Sequence, residues 1–439
     1  MSRARAFLGL CAVGLMLALP LSSAQAGAFS IFEQGARAMG RASAFAAAPD
    51  DPSAIFYNPG GLAFVEGTQA YIGGTLIMPS GKFYGTDPFP GYGVEEEQSF
   101  QLFTPPAVYL SHQLNDRMVV GIGIHTPFGL GTKWENPETF SGRFVSTNAQ
   151  IAGVSINPTV AFKLMDNLAI GVGVDIRVSK ITLEQYAPGL NPNTNTVINV
   201  AEATIESDMN SAIGWNVGVL FKATDQLSFG LAYRAPVTLN YTGKAQFEQI
   251  ASGDAFFDAA VAAKLGGTSA EYDMEADFNY PGYYTVAAAY QLTDDLLVEV
   301  DYIGFQWSVF DKLEATGLSQ PGTNQLDDIS IDENYEDAFV IRVGAEWWKS
   351  DTFALRCGYL YDKSPVPHET ISPMLPDADR NGFTAGFGTM LGNMTLDVAV
   401  MYLRFKEADT MGEQHGGFNG VYDNAGWLFG TSLGIPIGH

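Results

Sequence analysis

The segment LAIGVGVDIRVS, Leu168–Ser179, sorts its side chains by parity. Leu168, Ile170, Val172, Val174, Ile176 and Val178 fall on one side; Ala169, Gly171, Gly173, Asp175, Arg177 and Ser179 fall on the other. Period-two alternation sustained this long is the mark of a strand with two unlike faces. FALRCGYLYD (Phe353–Asp362) repeats it, with Ala354, Arg356 and Asp362 opposite Leu355 and Tyr359. AFVIRVGAEWW sets Phe339, Ile341, Val343 and Trp347 against Arg342, Gly344 and Glu346, and LDVAVMY sets Leu396, Val398, Val400 and Tyr402 against Asp397, Ala399 and Met401. A soluble sandwich alternates this way with its apolar face inward. A membrane barrel does so with its apolar face toward lipid and a polar lumen. The small and charged residues that share one face, the length of the strands, and aromatics near strand ends (YRAPVTLNY, EWW, GYLYD) favour the barrel.

The start of the chain is neutral between the two. Arg3 and Arg5 precede an apolar run from Ala6 to Leu19, followed by SSAQA with Ala24 and Ala26 in small-residue cleavage spacing. This reads as a secretory signal peptide, residues 1–26, because the run is too short to span a bilayer. Beyond it no apolar run reaches membrane-helix length, so a membrane-spanning mature chain must be a closed barrel. The net charge of −25 becomes −27 once Arg3 and Arg5 leave, and no nucleic-acid partner is expected. Cys11 leaves with the signal, so Cys357 stands alone and no internal disulfide is expected.

Tight polar turns fall at Leu114–Asp116, Met165–Asn167, Thr224–Gln226, Thr293–Asp295, Lys349–Asp351 and Leu391–Asn393. Longer loops lie between them, near residues 85–99, 135–146, 188–203, 248–269, 315–335, 364–379 and 409–420. Bacterial barrels keep short turns in the periplasm and long loops outside. The count implies an all-β fold, an antiparallel barrel of about 14 strands over residues 67–439, with both ends periplasmic. Residues 27–66 are left as an N-terminal extension. FEQGARAMGRASAFAAAPD within it favours a helix that stops at Pro49. DPSAIFYNPGG is a turn-rich return. A free tail should be polar, whereas this one carries Phe29, Ile31, Phe32, Phe45, Ile55, Phe56, Tyr57, Leu62 and Phe64. It is expected to pack in the lumen as a plug, or hatch.

The stretches GARAMGRASAFAAAPDDPSAIFYNPGGLA, SINPTVAFKL, GLAYRAPVTLNYTG, LRCGYLYDKSPVP, LPDADRNGF and WLFGTSLG, in this order, resemble the FadL/TodX-type outer-membrane transporters of hydrophobic compounds. The resemblance implies a fourteen-stranded barrel with a hatch, in the outer membrane of a Gram-negative bacterium. It implies passive uptake of hydrophobic molecules, with long-chain fatty acids the first substrate class and aromatic or aliphatic hydrocarbons the alternative. The family's hatch carries an Asn-Pro-Ala motif, matched here by Asn58, Pro59 and Gly60 with Gly in the third place. The motif faces a kink in the third strand, MVVGIGIHTPFGLGTKW, where Gly123, His125, Thr126, Pro127, Phe128 and Gly129 mark the implied lateral exit. Pro127 cannot donate to a ladder, which independently favours a gap there. Asn58 is expected to latch the hatch by bonding backbone groups exposed where Pro127 interrupts the strand.

In the loop QIASGDAFFDAAVAAKLGG, Phe256, Phe257, Val261 and Leu265 are candidates for a hydrophobic capture surface, or for packing against a neighbouring loop. Asp175, Arg177, Arg234, Glu299, Asp301, Arg342, Glu346, Arg356 and Asp397 fall on the lumen side, with mixed signs that suggest ion pairs tying strands and hatch together. The family's fatty-acid members place two basic residues near the head group. The aligned positions here are Gln185 and Glu314, with Arg177 or Lys180 as compensating cations. This departure weakens the fatty-acid reading and raises the hydrocarbon one.

An outer-membrane lipid-modifying enzyme is the distant alternative. No G-x-S-x-G is present, and His112, His125, His368, His415 and His439 are scattered. No metal-ligand spacing occurs, and PDADR lacks the ligand count of a calcium loop. No cofactor or catalytic residue is expected. Beyond its hydrophobic ligand, the expected partners are outer-membrane lipid, lipopolysaccharide and the barrel assembly machinery, with the protein a monomer. Family barrels usually end on an aromatic residue; this chain ends GIPIGH.

Overall fold

The computed structural model describes residues 28–318 and 328–438. The signal peptide reading and part of the loop expected at 315–335 lie outside the described residues. The chain forms a closed antiparallel barrel of 14 strands. In chain order they are β1 (Thr68–Gly85), β2 (Pro106–Asn115), β3 (Met118–His125, resuming at Leu130–Lys133), β4 (Asn148–Met165), β5 (Leu168–Leu190), β6 (Val197–Ser207 and Asn210–Lys222) and β7 (Leu227–Arg234 and Val237–Gln249). Then come β8 (Ser269–Tyr280 and Tyr283–Thr293), β9 (Leu296–Phe305 and Lys312–Thr316), β10 (Ile329–Asp332 and Ala338–Ser350), β11 (Phe353–Asp362), β12 (Arg380–Leu391), β13 (Met394–Phe405) and β14 (Gly420–Ile437). Each strand pairs with its neighbour in sequence, and β14 closes on β1 from Thr68↔Ile437 to Gly85↔Gly420. Closure of β14 on β1 removes the two free edges an open sheet would have, which is what permits a β-structure to sit in lipid. The six tight turns join β2–β3, β4–β5, β6–β7, β8–β9, β10–β11 and β12–β13, as the turn residues imply.

The faces sort as the alternation predicts. Val172 and Val174 are exposed on the outer wall of β5, while Asp175, Arg177 and Ser179 are buried in the lumen. Aromatics gather on the outer wall: Trp215 with Tyr233 (5.3 Å), Tyr302 stacked on Phe339 (5.7 Å), and Tyr402 with Trp427 (4.6 Å). Such amphipathic rings suit the boundary between acyl chains and head groups.

Residues 28–66 fill the lumen and are almost wholly buried. They hold α1 (Ala36–Gly40), α2 (Ala54–Tyr57) and a 3-10 turn, Pro59–Phe64. The helix read through to Pro49 is corrected: it ends at Gly40. Ala42 and Ser43 take positive φ (55° and 59°), and the backbone donors that a longer helix would use inside itself go to the wall instead. The N–H groups of Phe45 and Ala46 bond Asp301 Oδ2 (3.1 and 3.2 Å), and Ala47 N–H bonds Glu299 Oε1 (2.6 Å). Buried backbone donors need partners, and lumen carboxylates provide them.

Candidate functional site: a plugged lumen with a gap in its wall

The β2–β3 ladder stops at Val108↔Ile124 and resumes only where Ser99 N–H bonds Lys133 O (2.8 Å). Between these points, residues 100–106 and 126–132 share no ladder pairing among the described residues. Pro127 and Gly129 lie inside this gap, as does Phe128. Leu130 closes it with a left-handed φ of 99°, a conformation that costs a non-glycine residue roughly 1–3 kcal/mol.

The hatch fills the gap from inside. Ile31 N–H bonds Pro127 O (2.9 Å), Gly129 N–H bonds Phe29 O (3.1 Å), and Ser30 faces Phe128 in an antiparallel bridge. The Gln34 amide then completes Thr126: Nε2 donates to Thr126 O (2.6 Å) and Oε1 accepts from Thr126 N–H (3.1 Å). Residues 29–31 therefore act as a stand-in strand where β2 has withdrawn.

Asn58 does not meet this gap, which corrects the expected latch. Its Nδ2 donates to Ala46 O (2.7 Å) and to Val219 O of β6 (3.0 Å), while Oδ1 accepts from Gly60 N–H (3.0 Å). It fixes the hatch's own return turn to a different strand. Gly60 lies so close to β6 that a Cβ would stand 2.8 Å from Gly218 O, which accounts for glycine in the motif's third place. Gly123 and His125 sit below the gap under the hatch. A Cβ at Gly123 would meet Tyr109 and Ile55, and the buried His125 ring lies against Phe56 (5.0 Å) and Tyr109 (6.0 Å).

Above residues 28 and 29 lies a cavity of about 170 Å³. Phe29, Leu130, Ile151, Leu183, Phe278 and Phe310 supply much of its apolar lining, and Glu333, Asp377 and Arg380 its charge. Glu333 and Tyr335 reach it because both β9 and β10 break off, at residues 306–311 and 333–337, and turn aromatics inward: Trp307 and Phe310 each meet Phe29 and Tyr335 edge to face. The loop between β11 and β12 caps it from outside. Asp377 Oδ2 accepts from Ala28 N–H (2.9 Å) and Ser364 Oγ (2.8 Å), and burial pushes the Asp377 carboxyl up to about 6.

Hatch and barrel also share ion pairs: Arg37 with Glu346 (2.8 Å), Arg41 with Glu299 (2.9 Å) and Glu33 with Arg342 (3.1 Å). Arg234 meets Asp175 (2.8 Å), and Arg356 meets Asp397 (2.7 Å). Of the candidate head-group residues, Arg177 is in the lumen. It touches Asp175 (3.2 Å) and stacks on Phe128 and Tyr280, and its Nε and Nη1 have no partner among the described residues. Lys180 and Glu314 are corrected: both point outward, Lys180 to Glu206 (3.0 Å) and Glu314 to Ser330, because their parity in β5 and β9 is that of the outer face. Gln185 faces a smaller cavity near the outer rim with Ile205 and Phe247.

The helix α3 (Ala255–Leu265) forms in the β7–β8 loop. Asp254 caps it, accepting from Phe256 and Phe257 N–H (both 3.0 Å), bonds that hold its carboxyl below the usual range; Gly266 ends it at φ 87°. Leu265 is buried and Phe257 and Val261 half-buried, so of the four capture candidates only Phe256, at 89 % exposure, presents a free apolar face. The sequence reading missed Gln34 and Glu333. Gln34 had no signal, since its partner Thr126 is ninety-two residues away; Glu333 lay in a stretch read as outer loop.

An all-β barrel closed around a packed N-terminal segment, with an interrupted wall beside an apolar lumen, defines a plugged outer-membrane channel. The chain belongs to the outer membrane protein transport protein family (OMPP1/FadL/TodX), whose pattern it matches over residues 17–435. It is 25% identical over 402 residues to the 47 kDa outer membrane protein of Pasteurella multocida, covering 89% of this chain and 90% of that one. It is 23% identical over 446 residues to the long-chain fatty acid transport protein of Escherichia coli K12, covering 96% and 97%. Among solved structures, a Pseudomonas aeruginosa FadL homologue superposes with a TM-score of 0.77 at 21% identity, covering 94% of this chain and all of that one. The toluene transporter TodX of P. putida does so with 0.68 at 17% identity, covering 91% and 97%. The protein is thus an outer-membrane transport barrel of a Gram-negative bacterium.

Proposed function

We propose that the protein is a passive, monomeric channel that takes up hydrophobic molecules and releases them sideways into the outer membrane. The observation that carries this reading is the juxtaposition of a largely apolar cavity with a wall gap that the hatch segment Phe29–Ile31 spans. Phe29 serves both: it floors the cavity and its carbonyl holds Gly129. A ligand that takes the place of Phe29 removes that bond's support, so its contacts differ between closed and open hatch, as any ligand-driven shift requires. Phe256 on α3 offers a first apolar contact outside.

Two substrate classes fit a hydrophobic lumen. Fatty acids are supported by the spare N–H groups of Arg177, which suit a carboxylate, and by the relatives named as fatty-acid transporters. Neutral hydrocarbons are supported by the carboxyl-bearing cavity wall and by the loss of Lys180 as a lumen cation. Uptake of labelled decanoate, oleate and toluene, compared between cells with and without the protein, tests the reading. Entry of all three at equal rates in both cell types overturns it.

A further inference from the structure

Glu333 stands in the cavity wall with 6 % of its surface exposed. Its position is fixed from the backbone: Glu333 N–H bonds Asp311 O (2.8 Å), and Asn334 turns the chain with a φ of 51°. The side chain is set beside Tyr335 in a wall made mostly of aromatic and aliphatic residues, with Asp377 and Arg380 its other charged members. Among the described residues it has no ion pair. The cavity's one arginine, Arg380, spends Nε and Nη2 on Asp362 Oδ2 (2.8 and 2.6 Å). Asp377 adds a second carboxyl to the lining and no cation. The Arg177 guanidinium lies over the rings of Phe128 and Tyr280, and none of these three residues is part of the cavity wall.

We infer that Glu333 sets the substrate class of the lumen cavity: uncharged hydrophobes are accepted and carboxylate anions are excluded. The inference rests on the channel reading above. A carboxylate entering the cavity must share it with the Glu333 carboxyl. Whether the available proton sits on the ligand or on Glu333, at least one negative charge stays buried while the one cation of the wall, Arg380, is already paired with Asp362, and that is costly in a largely apolar site. An uncharged molecule of the same chain length meets no such cost, and a hydroxyl on it finds in Glu333 a hydrogen-bond partner. A polar group placed in this way rejects by leaving charge uncompensated rather than by shape.

Decanol and decanoate differ only at the head group. Their binding is measured by titration into the purified protein in lipid nanodiscs, with empty nanodiscs as the partition control, at about pH 8, where free carboxylates are ionised. Wild-type protein is expected to bind decanol at least about tenfold tighter than decanoate, the scale of a partly uncompensated buried charge. Glu333→Gln, which keeps shape and polarity, is expected to narrow the ratio by strengthening decanoate binding. Equal or tighter binding of decanoate by the wild type overturns the inference, even if the variant fails to fold. So does an unchanged ratio in a folded variant. If neither ligand binds above the control, the channel reading falls with it.

Discussion

Gln34 carries more of the closed state than its size suggests. One side-chain amide satisfies both backbone groups of Thr126 and the carbonyl of Ile31, at the point where β3 leaves its ladder. Replacing it by Ala strands one buried N–H and two C=O groups, at about 1–3 kcal/mol for each group left unpaired. Gln34→Ala is therefore expected to raise amide exchange at Ile31 and Gly129, the two donors of the hatch bridge, by about tenfold or more. Asn58→Ala is expected to leave those two amides as they are and to loosen Gly60, whose N–H it caps. Identical exchange maps for the two variants would show that the hatch opens as one unit and that Gln34 has no separate part in holding the gap.

At the scale of elements, the loop between β11 and β12 works as a clamp on the hatch. Trp134 Nε1 holds it by Pro373 O (3.0 Å), Asn424 Nδ2 by Pro376 O (2.6 Å), and Asp377 reaches down to Ala28. The Asp377 carboxyl is raised by burial from 3.8 to about 6, so folding opposes its ionisation. Its contribution is a penalty fully present above about pH 6 and relieved as pH falls toward 3.8, on the order of 3 kcal/mol from the size of the shift. Asn in its place accepts the same two bonds without the charge. Asp377→Asn is expected to raise the urea midpoint at neutral pH, with the gain shrinking as the medium is acidified through pH 5. A gain that does not change with pH would assign the effect to packing. The elements themselves were legible: parity gave the faces of β5, β10, β11 and β13, and turn residues gave the strand count. What parity could not give was the inward fold at residues 306–311 and 333–337, because a break in two adjacent strands is a tertiary bargain in which Trp307, Phe310 and Tyr335 exchange ladder bonds for aromatic packing. Nor could it give the short α1. Alanine-rich sequence favours helix, but the carboxylates that capture Phe45–Ala48 lie more than two hundred and fifty residues away. The same parity argument, applied to Lys180 and Glu314, puts both on the outer face; alignment to a head-group site had overridden it.

For the whole molecule the question is whether the hatch must leave the wall for cargo to pass. The barrel's stability rests on its closed ladder, and the gap interrupts the ladders only on the two sides of β3, so motion of residues 28–34 need not disturb the rest. Ser30 and Phe128 offer a direct test. The bonds on either side of them, Ile31 N–H to Pro127 O and Gly129 N–H to Phe29 O, make them a non-hydrogen-bonded antiparallel pair. Such pairs bring Cα atoms to about 4.5 Å, within the span a disulfide bridges. With Cys357, which is exposed on the outer wall, replaced by Ala, Ser30→Cys combined with Phe128→Cys is expected to oxidise in the periplasm and pin the hatch across the gap. Uptake of a hydrophobic substrate should fall to the level of cells lacking the protein and return on addition of a membrane-permeant reductant, whereas each single cysteine variant should respond to neither. Both single variants are needed because removal of the Phe128 ring also uncovers Arg177. If the oxidised double variant transports as fast as the reduced one, residues 29–31 do not move during uptake; the gap is then a fixed irregularity of the wall, and cargo must pass the hatch toward the periplasm along its far side, where α1 and the Arg37–Glu346 pair would be the elements to yield.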